Sequence, residues 1–177
     1  MNLIELALLL VGTGALLVVS WRVSLKAGRL HGIYRFFSFE SILILGLLNW
    51  RYWFVDPFSE HQILSWILLV GSIFPAVLGY RTLQAFGQPQ KQFENTQSLV
   101  RNGIYRYIRH PMYLSLMLLG TGVCLKDPSS ISVVLGVINI GALVATALKE
   151  ETEMLGKFGS DYMTYMNQSK MFIPYVI

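Results

Sequence analysis

Residues 103–113 read Gly103-Ile104-Tyr105-Arg106-Tyr107-Ile108-Arg109-His110-Pro111-Met112-Tyr113, and they run straight into the apolar segment Leu114 to Leu125. Two arginines, three tyrosines and a histidine thus sit directly against a hydrophobic run. A chain embedded in a bilayer rarely places so many polar groups beside an apolar segment without a use for them. The change from polar to apolar marks a membrane boundary, and the boundary marks the expected ligand site.

Working outward, apolar runs of similar character recur along the chain. The expected spans are Leu3–Ser20, Phe36–Trp50, Ile63–Tyr80, Ile108–Leu125 and Ile131–Leu148. Of the 177 residues, 54% are hydrophobic and only 14% charged, whereas an ordinary soluble domain carries about 25% charge. Five spans leave no room for a separate soluble domain. The fold expected is all-α: a polytopic integral membrane protein of about five transmembrane helices. It forms a single domain over residues 1–177, with N-terminal spans in 1–80 and a cofactor-binding half in 81–177.

The formal charge of +4 can suggest nucleic acid, but its distribution says otherwise. Arg22, Lys26, Arg29 and Arg35 fall in the first connection, and Arg81, Lys91, Arg101, Arg106 and Arg109 in the third. Lys149, Lys157 and Lys170 fall in the tail, while only Arg51 and Lys126 occupy the second and fourth connections. The positive-inside rule then places the N-terminus outside, and the C-terminus and residues 103–113 in the cytoplasm. Aromatic residues repeat the frame: Trp50, Tyr52, Trp53, Phe54 and Phe58 group at one interface, and Trp21, Tyr34, Tyr80, Tyr105 and Tyr107 at the other. The N-terminal run, without a basic leader, reads as a retained helix. The single cysteine, Cys124, excludes an internal disulfide and a cysteine metal site. His31, His61 and His110 lie in separate connections, so no metal is expected.

Asp127-Pro128-Ser129-Ser130 is a turn signal with a serine to cap the next helix. So short a connection makes the fourth and fifth spans an antiparallel hairpin. Pro75 is expected to kink the third span. Gly12, Gly14, Gly46, Gly71, Gly79, Gly120, Gly122, Gly136 and Gly141 read as close-packing positions. Phe86-Gly87-Gln88-Pro89 is expected to end a helix that prolongs the third span. After Leu148, the residues Met154, Leu155, Phe158, Tyr162, Tyr165 and Met166 recur at helical spacing as an interfacial helix. Phe172-Ile173-Pro174-Tyr175 then folds back on membrane or protein.

The hairpin brings two sequence-distant clusters together, Tyr105–Tyr113 before the fourth span and Lys149-Glu150-Glu151 after the fifth. Guanidinium, imidazole, phenol and carboxylate groups at one boundary can hold a polar cofactor, while the helices beside it admit a lipid-like substrate. Pro111 excludes His110 from helical geometry and starts the helix one residue later. Blander readings stand beside these. Arg101 and Arg106 read as positive-inside anchors on lipid phosphates. The glutamates at 150, 151 and 153 read equally as a solvated helix start. Glu5 and Glu40 are capping or hydrated groups, with Glu40 of interest only if it faces the interior.

Residues Leu99 to Tyr113 carry Gly-x-Tyr-x-x-x-Arg-His-Pro-x-Tyr. With Glu150-Glu151, Phe158-Gly159, Tyr162, Tyr165 and Ile173-Pro174 following in order, the C-terminal half closely resembles the isoprenylcysteine carboxyl methyltransferase family and the related phospholipid methyltransferases. The N-terminal spans match only as generic hydrophobic helices. The resemblance implies an integral-membrane methyltransferase using S-adenosylmethionine. Its acceptor would be lipid-like or a small hydrophobic molecule, an isoprenylcysteine-type carboxylate first among them. Carried over residue by residue, it implies Arg109 and Glu151 as catalytic residues, and Tyr105, His110, Pro111, Tyr113, Glu150 and Glu151 around the cofactor. Arg109 or His110 would receive the cofactor's carboxylate, and the glutamates its ribose hydroxyls or ammonium. One position departs from the family pattern, which often has glycine where this chain has Ser115. Two other classes compete: an NADPH-dependent membrane reductase of the sterol reductase type, with a comparable His-x-x-Tyr region, and a non-catalytic scaffold. The reductases are usually much longer, and the intact motif pair argues against a scaffold.

Overall fold

A computed structural model describes residues 2–24, 31–87 and 98–176. Among these the protein is all-helical: α1 (Leu3–Val23), α2 (His31–Asn49), α3 (Glu60–Phe86), α4 (Pro111–Cys124), α5 (Ser130–Phe158) and α6 (Ser160–Gln168). Short 3-10 turns follow α2 at Trp50–Tyr52 and precede α4 at Gly103–Arg106. Lys26, Arg29, Lys91, Gln88 and Pro89, used above for topology and helix ending, lie outside the described residues.

Four of the five expected spans are helices long and apolar enough to cross a bilayer: Leu3–Val23, His31–Tyr52, Glu60–Phe86 and Ser130–Phe158. The other, α4, is a shorter apolar helix of 14 residues, about 21 Å of rise against a hydrocarbon core of about 30 Å. It loses its expected first turn because Pro111 starts the helix and residues 108–110 run outside it. At the other end it stops one residue early, where Leu125 and Lys126 form a turn.

Local chemistry accounts for the boundaries. Asn2 and Glu5 form a capping box, each side chain accepting from the other's backbone N–H. The Ser129 hydroxyl accepts from the backbone N–H of Ser132, at 3.3 Å, and caps α5. α3 ends at Phe86 as expected, and it continues through Pro75. α5 departs from expectation: it does not stop near Leu148 but runs 29 residues to Phe158. Composition changes at Lys149, yet nothing there breaks a helix. The break comes at Gly159, whose φ of +54° closes α5 and opens α6. The apolar stripe expected on one tail helix is therefore divided between the end of α5 and α6.

By packing, the chain forms two compact units. Unit 1 takes Met1–Val70 and Met117–Thr146, and unit 2 takes Gly71–Leu116 and Ala147–Ile177. Unit 1 packs around Leu45, Leu69, Val123 and Cys124, with Trp53, Trp66, Leu119 and Leu135 against them. Buried polar pairs fix its helices: Asn49 Nδ2 donates to Val123 O at 2.9 Å, Ser65 Oγ to Gly122 O at 2.6 Å, and Asn139 Nδ2 to Ser38 Oγ at 2.8 Å. In a bilayer such bonds stand in for the hydrophobic drive between helices. Glu40 faces α1, where Thr13 donates to it at 2.6 Å. Lys126 is fully buried, donating to Gln62 Oε1 at 3.0 Å with its ammonium 3.8 Å from the centre of the Trp66 ring.

The intraspan glycines separate into two groups. A Cβ at Gly12, Gly79, Gly120, Gly122 or Gly136 would meet a packed neighbour, whereas Gly14, Gly46, Gly71 and Gly141 have nothing within 4 Å. Close packing explains only the first group. In unit 1 the hairpin of α4 and α5 is drawn together at Gly120, against Asn139, and at Cys124, whose thiol donates to Ser132 O at 3.2 Å.

Candidate active site

Unit 2 contains every candidate site residue. Gly103 enters its turn at φ +57°, and a Cβ there would lie 2.8 Å from Thr82 Oγ1 on α3. That conformation and that contact require glycine. The turn carries Tyr105, after which residues 107–110 pair with the C-terminal segment. Lys170 N–H donates to Tyr107 O at 3.0 Å, Arg109 N–H to Lys170 O at 2.8 Å, and His110 N–H to Met171 O at 3.1 Å. Pro111 then opens α4. A Cβ at Gly79 would come within 3.1 Å of its ring, so α3 meets the start of α4 closely. Ser115, the departure from the family pattern, is buried and donates to Ser72 O on α3 at 2.6 Å. Serine fits because its hydroxyl has an acceptor ready in the neighbouring helix.

Because α5 stays helical past Leu148, it presents Glu150 and Glu151 to this wall. His110 lies between them, Nε2 3.3 Å from Glu151 Oε1 and Nδ1 3.7 Å from Glu150 Oε2. Its ring stacks on Tyr113, 5.5 Å between centroids and 11° from parallel, and Phe172 packs against it at 6.0 Å. The Tyr113 hydroxyl donates to Glu150 Oε1. Arg109 is buried to 8% side-chain exposure and donates from Nε to Glu151 Oε1 at 2.6 Å. Its Nη1 donates to Ser169 O at 2.6 Å and to Met166 O at 3.3 Å. Hydrogen bonds link Tyr113 to Glu150 and join His110, Glu151 and Arg109, and the 3.7 Å approach of His110 Nδ1 to Glu150 Oε2 brings the two sets side by side.

The structure brings Arg109, His110, Pro111, Tyr113, Glu150 and Glu151 together directly. Tyr105 joins through its backbone carbonyl, which accepts from the Tyr165 hydroxyl at 2.6 Å. Burial pushes the Tyr105 and Tyr162 phenols above the ordinary tyrosine range, with the neighbouring carboxylates reinforcing it. It raises Tyr165 to about 12. All three phenols therefore hold their protons more tightly than a free tyrosine. Arg101 donates to Asp161 O on α6 at 2.7 Å and lies 5.9 Å from the Tyr165 ring centre. It anchors α6, a contact the topology argument does not anticipate. Tyr162, Tyr165 and Phe172 are buried here too. Tyr162 and Tyr165 belong to the helical stripe and to the tail motif read from the sequence, and Phe172 to the segment expected to fold back, but none of the three is among the candidate site residues. Among the described residues no group of three His, Cys, Asp or Glu side chains could hold a metal ion.

A profile of the phospholipid methyltransferase family matches residues 60–161, more than half of the chain. The match takes in α3, the Gly103–Tyr113 stretch, α4, α5 and the start of α6. The chain belongs to that family. Over 145 residues it is 25% identical to the Protein-S-isoprenylcysteine O-methyltransferase of Dictyostelium discoideum, an alignment covering 77% of this chain. The chain spans 61% of that curated relative's length.

Proposed function

We propose that this protein transfers a methyl group from S-adenosylmethionine to a lipid-like or small hydrophobic acceptor, an isoprenylcysteine-type carboxylate being the first candidate. The site faces the cytoplasm in this reading, and the N-terminus lies outside, in line with the basic residues of the connections. The observation that carries the reading is His110 held between Glu150 and Glu151 and covered by Tyr113 and Phe172. His110, Tyr113, Glu150 and Glu151 lie within the residues that the family profile matches, and Phe172 lies beyond them.

The donor set fits such a cofactor. Bound there, it supplies a methyl group already activated on a sulfonium. Glu150 and Glu151 offer carboxylate acceptors for hydroxyl and ammonium groups, and their negative field favours a cation beside them. Tyr113 orients Glu150, and Arg109 orients Glu151. The burial of His110 and Glu151 excludes water and fixes positions, which suits a displacement limited mainly by alignment. A carboxylate acceptor needs no base. An amine acceptor must lose a proton, and the glutamates are the groups placed to take it. The curated relative's name favours the carboxylate.

Calorimetry of the detergent-purified protein with S-adenosylhomocysteine, and separately with NADPH, tests the reading. Saturable binding of the first is expected, weakened by Glu151→Gln and by His110→Ala while circular dichroism stays helical. Binding of NADPH alone would overturn the proposal in favour of a reductase. Wild-type affinity in both variants would overturn the site assignment.

A further inference from the structure

The guanidinium of Arg109 is engaged on two sides. Nε meets Glu151, whereas Nη1 reaches the carbonyls of Met166 and Ser169. Those carbonyls close the C-terminal end of α6, where a cation is doubly favoured by unpaired acceptors and by the helix dipole. Immediately beyond, Lys170 and Met171 take the backbone N–H groups of Arg109 and His110, and Phe172 covers the His110 ring. Residues 169–172 thus form a strap that grips the same two residues from the backbone and from the side chain. The strap lies beyond the residues that the family profile matches.

We infer that Arg109 is a positioning residue: it clasps this strap to Glu151, and the strap in turn fixes the carboxylate against His110. The inference rests on the function proposed above, because it assigns how that site is held in order. It also reassigns Arg109, which the sequence resemblance implies as a catalytic residue and, with His110 as the alternative, as the ligand for the cofactor's carboxylate. A ligand role needs positive charge. A clasp needs the planar fork, since a lysine ammonium is a single point and cannot serve acceptors on both sides of a guanidinium.

Four full-length variants separate these roles. Arg109→Lys keeps charge without the fork, and Arg109→Gln keeps neither. Lys170→Pro removes the N–H that donates to Tyr107 O and leaves every site side chain intact. Lys170→Gln keeps that N–H and reports the side-chain charge alone. Hydrogen exchange with mass spectrometry over Tyr107–His110 and Ser169–Phe172 reads the strap without any ligand, and calorimetry with S-adenosylhomocysteine reads the site. The clasp requires Arg109→Lys to resemble Arg109→Gln, with strap exchange at least roughly tenfold faster and binding about tenfold weaker. It requires Lys170→Pro to show both effects beyond Lys170→Gln. Near-native affinity in Arg109→Lys overturns the inference. So does strap exchange unchanged in Arg109→Gln, or a loosened strap in Lys170→Pro with native affinity. Absence of binding in the wild type would instead remove the methyltransferase reading, and the exchange data would still decide the clasp. If Lys170→Pro fails to fold, the two Arg109 variants decide it alone.

Discussion

Replacing Gly103 by alanine should destabilise the protein by an amount that the structure divides into two parts. The first is conformational: at φ +57° a residue with a Cβ costs about 1–2 kcal/mol. The second is steric, because the new Cβ would stand 2.8 Å from Thr82 Oγ1 and 3.1 Å from Thr82 Cγ2. Relief of such a contact by local shifts costs roughly 1–3 kcal/mol. The lower chain entropy of alanine in the unfolded state returns about 0.4–1 kcal/mol. The net expectation is a loss of about 1–5 kcal/mol. Thr82→Ala, made in the Gly103→Ala background, should recover the steric part and leave the conformational part. Thermal melts of the four proteins of that cycle, followed by circular dichroism in detergent, give the coupling directly. A Gly103→Ala protein within about 0.5 kcal/mol of wild type would show that the turn relaxes freely. Equal losses in the single and double variants would remove Thr82 from the explanation.

Two further outcomes follow from packing and burial. Gly122→Ala should cost about 1–3 kcal/mol, since its Cβ would lie 2.9 Å from Leu69 Cγ and 3.2 Å from Leu69 N. Gly141→Ala, with nothing within 4 Å, should be neutral or gain up to about 1 kcal/mol; the same melts should rank the two, and an equal cost would contradict the packing assignment. In alkali, the Tyr165 phenol is raised by burial from 10.0 to about 12, so its contribution is fully present below pH 10. It is lost between about pH 10 and 12, because the unfolded state gives up its proton first. Stability should therefore fall across that window, with the late phenol visible in an absorbance titration near 295 nm. Stability that rises there would refute the burial argument.

Much of this architecture is legible in the sequence, and the exceptions have physical causes. Apolar length locates α1, α2, α3 and α5, and Asp127–Ser130 locates the hairpin turn. The hairpin alone then brings residues 109–113 to Glu150-Glu151. The end of α5 is misplaced because a change from apolar to charged composition is a solvent boundary, whereas a helix ends where the backbone must turn, at Gly159. The pairing of Tyr107–His110 with Lys170 and Met171 leaves no local trace, since backbone groups of any sequence can make it. Arg101 and Arg109 read as membrane anchor and ligand because charge is visible in a sequence. Their carbonyl partners, Asp161, Met166 and Ser169, appear only in the fold. Lys126 likewise gives no sign that it will be buried between Gln62 and Trp66.

The division into two units has a spectroscopic consequence. All four tryptophans, Trp21, Trp50, Trp53 and Trp66, belong to unit 1, with Lys126 against the rings of Trp53 and Trp66. Unit 2 has none, but it holds Tyr80, Tyr105, Tyr107, Tyr113, Tyr162, Tyr165 and Tyr175. Tryptophan emission therefore watches the half of the protein without the candidate site, and tyrosine absorbance is weighted toward the half that carries it. A site variant that lowers affinity while leaving the emission spectrum untouched has been damaged locally. One that shifts the emission has disturbed the membrane scaffold as well. Each substitution thus carries its own control in the native chromophores, with no label introduced.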